Sequence, residues 1–261
     1  MSIISDSATL TFGLYNCQGL SKLKKDIIVD QNIDITCITE THSWRDNDPL
    51  TIYSDPPPKS DSWSGVCLQL SKRVSGAVID SGQMGPRITF CRLRGNITNY
   101  FIIGVYIPQR SKKSPNQKEI YEQLEKLLNR IPKHDCIMLM GDFNSRLSRN
   151  EEGYVGRWCM HTRQDSGGDQ LLELMKKYSL RAISTYFQPR RRHSNATYMN
   201  IQPEKAPSQI DYILVSTRWA TGSRSCKTSW GLPITIHGRK YDHALIKLSF
   251  KIRLKCDGRR V

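Results

Sequence analysis

His134–Leu147 reads HDCIMLMGDFNSRL: an apolar run, Ile137 to Met140, climbs into Gly141-Asp142-Phe143-Asn144 and then turns polar. A short apolar run with polar ends predicts a buried strand, and a buried strand has no packing use for a carboxylate. Side chains two apart on a strand share a face, so Asp142 and Asn144 point into one cleft if the extension continues through them. A strand closed by an Asx-type turn accounts for the same residues. The choice between them depends on what else the chain brings to that end.

Similar short runs recur along the 261 residues. Strands are expected over Thr9–Asn16, Asp34–Thr39, Gly65–Leu70, Ile88–Leu93, Tyr100–Tyr106, Cys136–Met140, Arg181–Thr185, Gln209–Val215 and Ala244–Phe250, each β-branched or aromatic and bounded by turn residues. Helical periodicity appears over Leu20–Asp30, from Asn116 to a stop at Pro132, and from Gly167 to Leu180. No repeat or linker divides the chain, and SDPPPKSDS at 54–62 reads as a surface loop. Many strands with a few helices imply an α/β fold: two packed sheets covered by helices, in one domain with a core from about residue 8 to 250.

Composition narrows the partners. A hydrophobic content of 38% and a charged content of 24% are ordinary for a globular protein. No window approaches about eighteen consecutive apolar residues, so no helical membrane span and no membrane partner is expected. The start, MSIISDSATL, lacks the pattern of a secretory signal. Eight cysteines occur with no C-x-x-C spacing, and Cys37, Cys67, Cys91 and Cys136 sit in strand-like runs, which reads as buried free thiols. The net charge of +15 attracts polyanions, with nucleic acid foremost.

Six strands carry polar residues at their ends: Asn16, Glu40, Tyr106, Asp142 with Asn144, Asp211, and Asp242-His243. One such end is ordinary turn chemistry; the set describes a site at one edge of a sandwich, suited to phosphodiester hydrolysis. Mg²⁺ needs few carboxylates and shares its shell with phosphate, which suits Glu40 with Asp242 or Asn16. An attacking water must be aligned and lose a proton, which suits Asp142 with Asn144 beside it. His243 and Tyr106 can donate to charge growing on phosphate oxygens, and Asp211 can fix the tautomer of His243.

GLYNCQG, ITET, GVYIP, MGDFN, ATY, SQIDYILVS and YDHALI, in that order, resemble the endonuclease/exonuclease/phosphatase family of deoxyribonuclease I and exonuclease III-type nucleases. The nearest likeness is to endonuclease domains of non-long-terminal-repeat (LINE-type) retrotransposons. The resemblance implies a four-layer α/β sandwich of two mainly antiparallel sheets flanked by helices. It implies Glu40 as main metal ligand, with Asn16 and Asp242 on the metal side and Mn²⁺ able to replace Mg²⁺. Tyr106 would contact the scissile phosphate, Asp142 and Asn144 would handle water, and Asp211 would orient His243. Thr197 would sit at the substrate, followed by Tyr198 where the family has Trp. Tyr241 stands where Ser is usual before Asp242-His243, and Gln109 follows Pro108 where Pro or Asn is commoner.

The family includes lipid phosphatases, so the basic segments bear on the substrate. Arg190, Arg191 and Arg192, with His193, precede Thr197; residues 198–209 correspond to a hairpin that enters DNA in the retrotransposon enzymes. A second candidate surface is 218–241, where Trp219 and Trp230 lie among cations. The expected activity is nicking of double-stranded DNA in the nucleus to leave a 3′-hydroxyl. The basic tail KIRLKCDGRR fits a domain cut from a polyprotein, with a reverse transcriptase and element RNA as further partners. An abasic-site repair endonuclease is the second expectation, ahead of a phosphatase or a non-catalytic binding module.

Overall fold

Parallel neighbours in a sheet need a crossover, and the chain supplies two. A computed structural model describes residues 8–109, 117–149, 152–189, 195–200, 202, 204–232 and 242–254. The chain opens with β1 (Ala8–Asn16), α1 (Lys22–Val29), β2 (Ile35–Thr39), β3 (Thr51–Tyr53), β4 (Val66–Leu70) and α2 (Lys72–Ser75). It continues with β5 (Val78–Gln83), β6 (Ile88–Leu93), β7 (Tyr100–Tyr106), α3 (Gln117–Leu128), β8 (Cys136–Asp142), α4 (Ser166–Lys177), β9 (Leu180–Ala182) and β10 (Asp211–Ser216). It then returns to the first sheet as β11 (Ser223–Ser229) and β12 (Leu245–Ile252).

The sheets have six strands each, ordered β11-β12-β1-β2-β4-β3 and β5-β6-β7-β8-β10-β9. Each holds one parallel pair, β1 with β2 and β7 with β8, bridged by α1 and α3 respectively; the remaining pairs are antiparallel. Ser21 caps α1 by accepting from Lys24 N, and Asp165 caps α4 by accepting from Gly168 N. The architecture is the expected α/β sandwich.

Strand alternation sorts the side chains into layers. Leu10, Phe12 and Leu14 of β1 face Ile102 of β7, Met138 and Met140 of β8 and Ile213 of β10 between the sheets. The opposite faces, such as Ile103, Val105 and Leu139, pack under α3 and α4 through Leu124, Leu127 and Leu171. Ile28 of α1 covers Tyr15 and Ile38 on the other side. Gly141, one step before Asp142, has no room for a side chain: a Cβ there would strike the Val105 carbonyl oxygen.

All nine expected strands are present, with one shortened. Arg181–Thr185 is extended only to Ala182, after which Ile183–Tyr186 form a 3-10 turn. Strands β3, β5 and β11 were not anticipated, and all three are sheet edges. An edge strand needs backbone pairing but no two-sided apolar pattern, so VIDSGQ and SRSCKTS carry little periodicity to read. Seven cysteines lie among the described residues; all are free thiols and six are buried.

One buried cation braces the first sheet. Lys25 of α1 reaches Asp46 at 2.6 Å and Asp48 at 2.8 Å, and donates to Thr51 Oγ1 at 2.8 Å. Burial pushes Asp48 up, but hydrogen bonds from Lys25, Leu50 N–H and Gln69 outweigh it and hold the carboxyl at about 2. Lys25→Met is expected to destabilise the fold by about 2 kcal/mol, below the full loss of a buried pair because both aspartates keep some solvent. A carboxylate with a depressed folded pKa stabilises above its unfolded pKa and loses that contribution as pH falls through the folded value. The gap between wild type and Lys25→Met in urea denaturation should therefore be full at neutral pH and shrink from pH about 4 towards about 2.

Candidate active site

The alternation that fills the core also assembles the site. On β7, β8 and β10 the inward rows run past the apolar residues to Tyr106, Asp142 and Asp211. The register sets these three side by side, pairing Tyr106 with Asp142 and Asp142 with Asp211. Both parallel pairs end at this edge, and β10 and β12, antiparallel to their neighbours, begin there. Topology thus delivers Asn16, Glu40, Tyr106, Asp142, Asp211 and Asp242-His243 to one place.

Hydrogen bonds close the set. Asn16 Nδ2 donates to Glu40 Oε1 at 2.8 Å and, across the sandwich, to Asp142 Oδ2 at 3.0 Å. His243 Nδ1 lies 3.0 Å from Asp211 Oδ2, while Asp211 Oδ1 is buried without a partner among the described residues. Asp211 is held by its own backbone: Thr197 Oγ1 accepts from Ile210 N and Asp211 N at 3.0 and 3.1 Å. The Tyr198 ring packs 5.0 Å from the His243 ring. Gln18 Nε2 donates to Asp242 Oδ2 at 2.5 Å.

Both readings of the Asp142–Asn144 stretch hold in part. The strand ends at Asp142; Asn144 has φ +46°, its N–H donates to Asp142 Oδ1 at 2.8 Å, and its Nδ2 donates to Ile107 O at 2.9 Å. The turn nevertheless leaves Asn144 lining the same cleft as Asp142. Gln18, Glu40 and His42 also have positive φ, at 46°, 52° and 55°. Non-glycine residues pay about 1–3 kcal/mol each for such conformations, and their concentration around one cleft marks a constrained site.

The electrostatics are those of crowded buried acids. Burial raises the Asp142 carboxyl well above its usual range, helped by the charge of Asp211 and opposed by His243. Burial also raises Glu40, against hydrogen bonds from Asn16 and Tyr106. For His243, burial alone would lower the pKa, but the charge and hydrogen bond of Asp211, with Asp142 and Asp242, carry it up to about 10. The acidic neighbours therefore favour the protonated, cationic imidazole.

Hard oxygen donors and clustered like charges suit a divalent cation. Asp142, Asp211 and His243 bring ligand atoms within 4.8 Å of one another, all buried. A protonated imidazole does not ligate, and Asp211 is engaged with it, so the carboxylates of Glu40 and Asp242 at the cleft are the better holders. Asn16, expected among the ligands, turns its amide nitrogen to Glu40 and Asp142, and its oxygen accepts from Gln18 N at 3.1 Å. It clamps two carboxylates instead of offering an oxygen.

Other expectations shift as well. Thr197, expected at the substrate, is fully buried and braces β10, because its hydroxyl satisfies two backbone N–H groups there. Trp219 packs against the inter-sheet core with Arg218 over its ring at 5.2 Å, so it is no free stacking surface. Arg190, Arg191, Arg192, His193 and Tyr241 lie outside the described residues. So do 233–241 of the second basic segment, and 201 and 203 of the expected hairpin. The hairpin's base is in place, with Tyr198 N and Ser208 N exchanging bonds with each other's carbonyls at 2.9 Å.

The cleft, about 500 Å³, also takes in Gln18, Asp61, Trp63 and Arg87, none of them expected. Gln18 sits two residues past Asn16, close enough to have been suspected. Trp63, a lone tryptophan in the polar stretch KSDSWSG, was a visible signal; Arg87 had none, since a single arginine before a strand is common.

The chain belongs to the Endonuclease/Exonuclease/phosphatase family, whose model matches residues 13–232. It is 30% identical over 254 residues to craniofacial development protein 2 of Bos taurus, covering 93% of this chain and 41% of that protein. The chain thus spans about two-fifths of the length of that relative. Its fold is similar to an AP endonuclease from Archaeoglobus fulgidus, with a TM-score of 0.65 and 16% identity over 92% of this chain and 99% of that one. It is also similar to the endonuclease domain of TRAS1, a telomere-specific non-LTR retrotransposon, with a TM-score of 0.61 and 11% identity over 92% of this chain and 98% of that one.

Proposed function

We propose that this chain is a divalent-cation-dependent DNA endonuclease that nicks one strand of duplex DNA and leaves a 3′-hydroxyl, as a non-LTR retrotransposon needs to prime reverse transcription. The observation that carries this reading is the buried row Tyr106–Asp142–Asp211, closed by His243 and tied to Glu40 through Asn16. The +15 charge supports a polyanionic substrate, and the two structural relatives are endonucleases by their names.

Each side chain has a task in that reaction. Asp142, its basicity raised by burial, takes a proton from water as the new oxygen–phosphorus bond forms; the bond to the 3′-oxygen breaks, and that oxygen takes a proton from solvent to become the 3′-hydroxyl. Asn144 spends its amide nitrogen on Ile107 O, which leaves its carboxamide oxygen to align that water. Cationic His243, held by Asp211, faces the negative charge that grows on the phosphoryl oxygens. Tyr106 lies against the phosphate on the other side. Glu40 and Asp242 would hold Mg²⁺ or Mn²⁺, which when bound would supply positive charge to the phosphate oxygens.

In the longer protein, the domain would act beside a reverse transcriptase and element RNA, in the nucleus where its DNA lies. Supercoiled plasmid, incubated with the protein and Mg²⁺, is expected to convert to open circles, and EDTA is expected to stop it. A matched abasic oligonucleotide separates the second reading, an abasic-site enzyme, which the likeness to the Archaeoglobus fold favours. Cutting confined to the abasic strand would replace the retrotransposon reading with repair; no cutting of either would remove both.

A further inference from the structure

Trp63 is 69% exposed, whereas the other four tryptophans are partly buried. An exposed aromatic ring of this size has a face free to stack on a ligand. It stands on the wall of the cleft that holds Asp142 and His243.

The ring is on a braced loop. Ser64 N and Oγ both donate to Asp61 O, at 3.1 and 2.9 Å, closing the turn beneath it. Asp61 is ion-paired to Arg87 at 2.6 Å, and Arg87, only 4% exposed, lies over the Tyr106 ring at 4.9 Å. Tyr106 N in turn donates to Arg87 O at 3.0 Å. The loop carrying Trp63 is thereby fixed to the residue set against the phosphate. On its other side the indole meets His42 edge to face at 5.2 Å, and Gly65 is required because a Cβ would strike the His42 carbonyl.

A rigid aromatic face beside a phosphodiester cleft in a strongly basic protein fits one ligand chemistry: the π-face of a nucleobase. A paired base in duplex DNA has both faces covered by its neighbours, so Trp63 can engage only a base out of the stack. We propose that Trp63 is a stacking subsite for an unstacked nucleobase next to the scissile phosphate, with the Asp61–Arg87–Tyr106 chain setting its distance from the reacting row. This rests on the nuclease reading above and adds a substrate preference to it: strands with locally unpaired bases bind best.

The test compares a labelled duplex carrying a short unpaired bubble with the fully paired duplex, by fluorescence anisotropy in EDTA so that nothing is cut. The unaltered protein is expected to favour the bubble. Trp63→Ala, safe for folding at so exposed a position, should weaken bubble binding on the order of tenfold and leave the paired duplex within about twofold. Trp63→Phe should keep most of the preference. With Mg²⁺ present, Trp63→Ala should raise KM on the bubble while kcat stays within about twofold. Unchanged bubble binding by Trp63→Ala, with DNA still bound and cut, overturns this inference alone and leaves Trp63 a contact for protein. Failure of the unaltered protein to bind either DNA overturns the nuclease reading with it.

Discussion

Asp142→Asn is expected to lower the nicking rate by about a thousandfold while making the protein harder to unfold. The two effects come from one cause. Asp142 is 1% exposed and shares its surroundings with Glu40 and Asp211, so its charged form is unfavourable in the folded state. The amide is nearly the same size and its oxygen keeps one of the two donors, Asn16 Nδ2 or Asn144 N, while its NH2, turned to the other, offsets part of the gain. What disappears is the base that takes the proton from water and a crowded negative charge. Gain of about 1 kcal/mol in urea denaturation, together with collapse of single-turnover nicking, would identify a residue kept for chemistry at the expense of stability. Nicking within about tenfold of wild type would remove Asp142 from the proton-transfer role.

His243→Ala carries the opposite sign in stability. The imidazolium is the partner of Asp211, which is buried and has one oxygen without a hydrogen bond among the described residues. Removing it leaves an unpaired buried carboxylate, which costs about 3–5 kcal/mol, and the rate should fall by about a hundredfold or more through loss of the charge facing phosphate. His243 is only 5% exposed, so a structural penalty comes with the chemical one. The double variant Asp211→Asn/His243→Ala separates the two. Taking away both partners should recover much of the stability, because no charge is stranded, and none of the activity. Recovery of nicking along with the fold would show that His243 acts only as a structural partner.

The central strands were readable because their signal is local. Ile137–Met140, Tyr100–Tyr106 and Thr9–Asn16 each carry enough apolar residues to announce a buried strand, and their polar ends stand out for that reason. Strands β3, β5 and β11 had no such signal, since a sheet edge is held by backbone pairing to a neighbour already in place. The site residues were legible as types and as strand ends, down to the pairing of Asp211 with His243. Their directions were not. Asn16 presents nitrogen where an oxygen was expected, and Thr197 turns inward to the β10 backbone, because the nearest unsatisfied groups decide which way a short polar side chain faces.

What the sequence determined by itself is therefore the order of the central strands and the longer helices and the polar residue waiting at each of those strand ends, all consequences of spacing and turn chemistry within a few residues. Only the tertiary structure decided which groups meet. Asn16 reaches Asp142 across 126 residues and Gln18 reaches Asp242 across 224. Asp61, Arg87 and Tyr106 form a chain that no local pattern foretells. Such contacts depend on strand register and on how one sheet sits over the other, and a pair so distant in the chain is brought together only after the core between the sheets has packed.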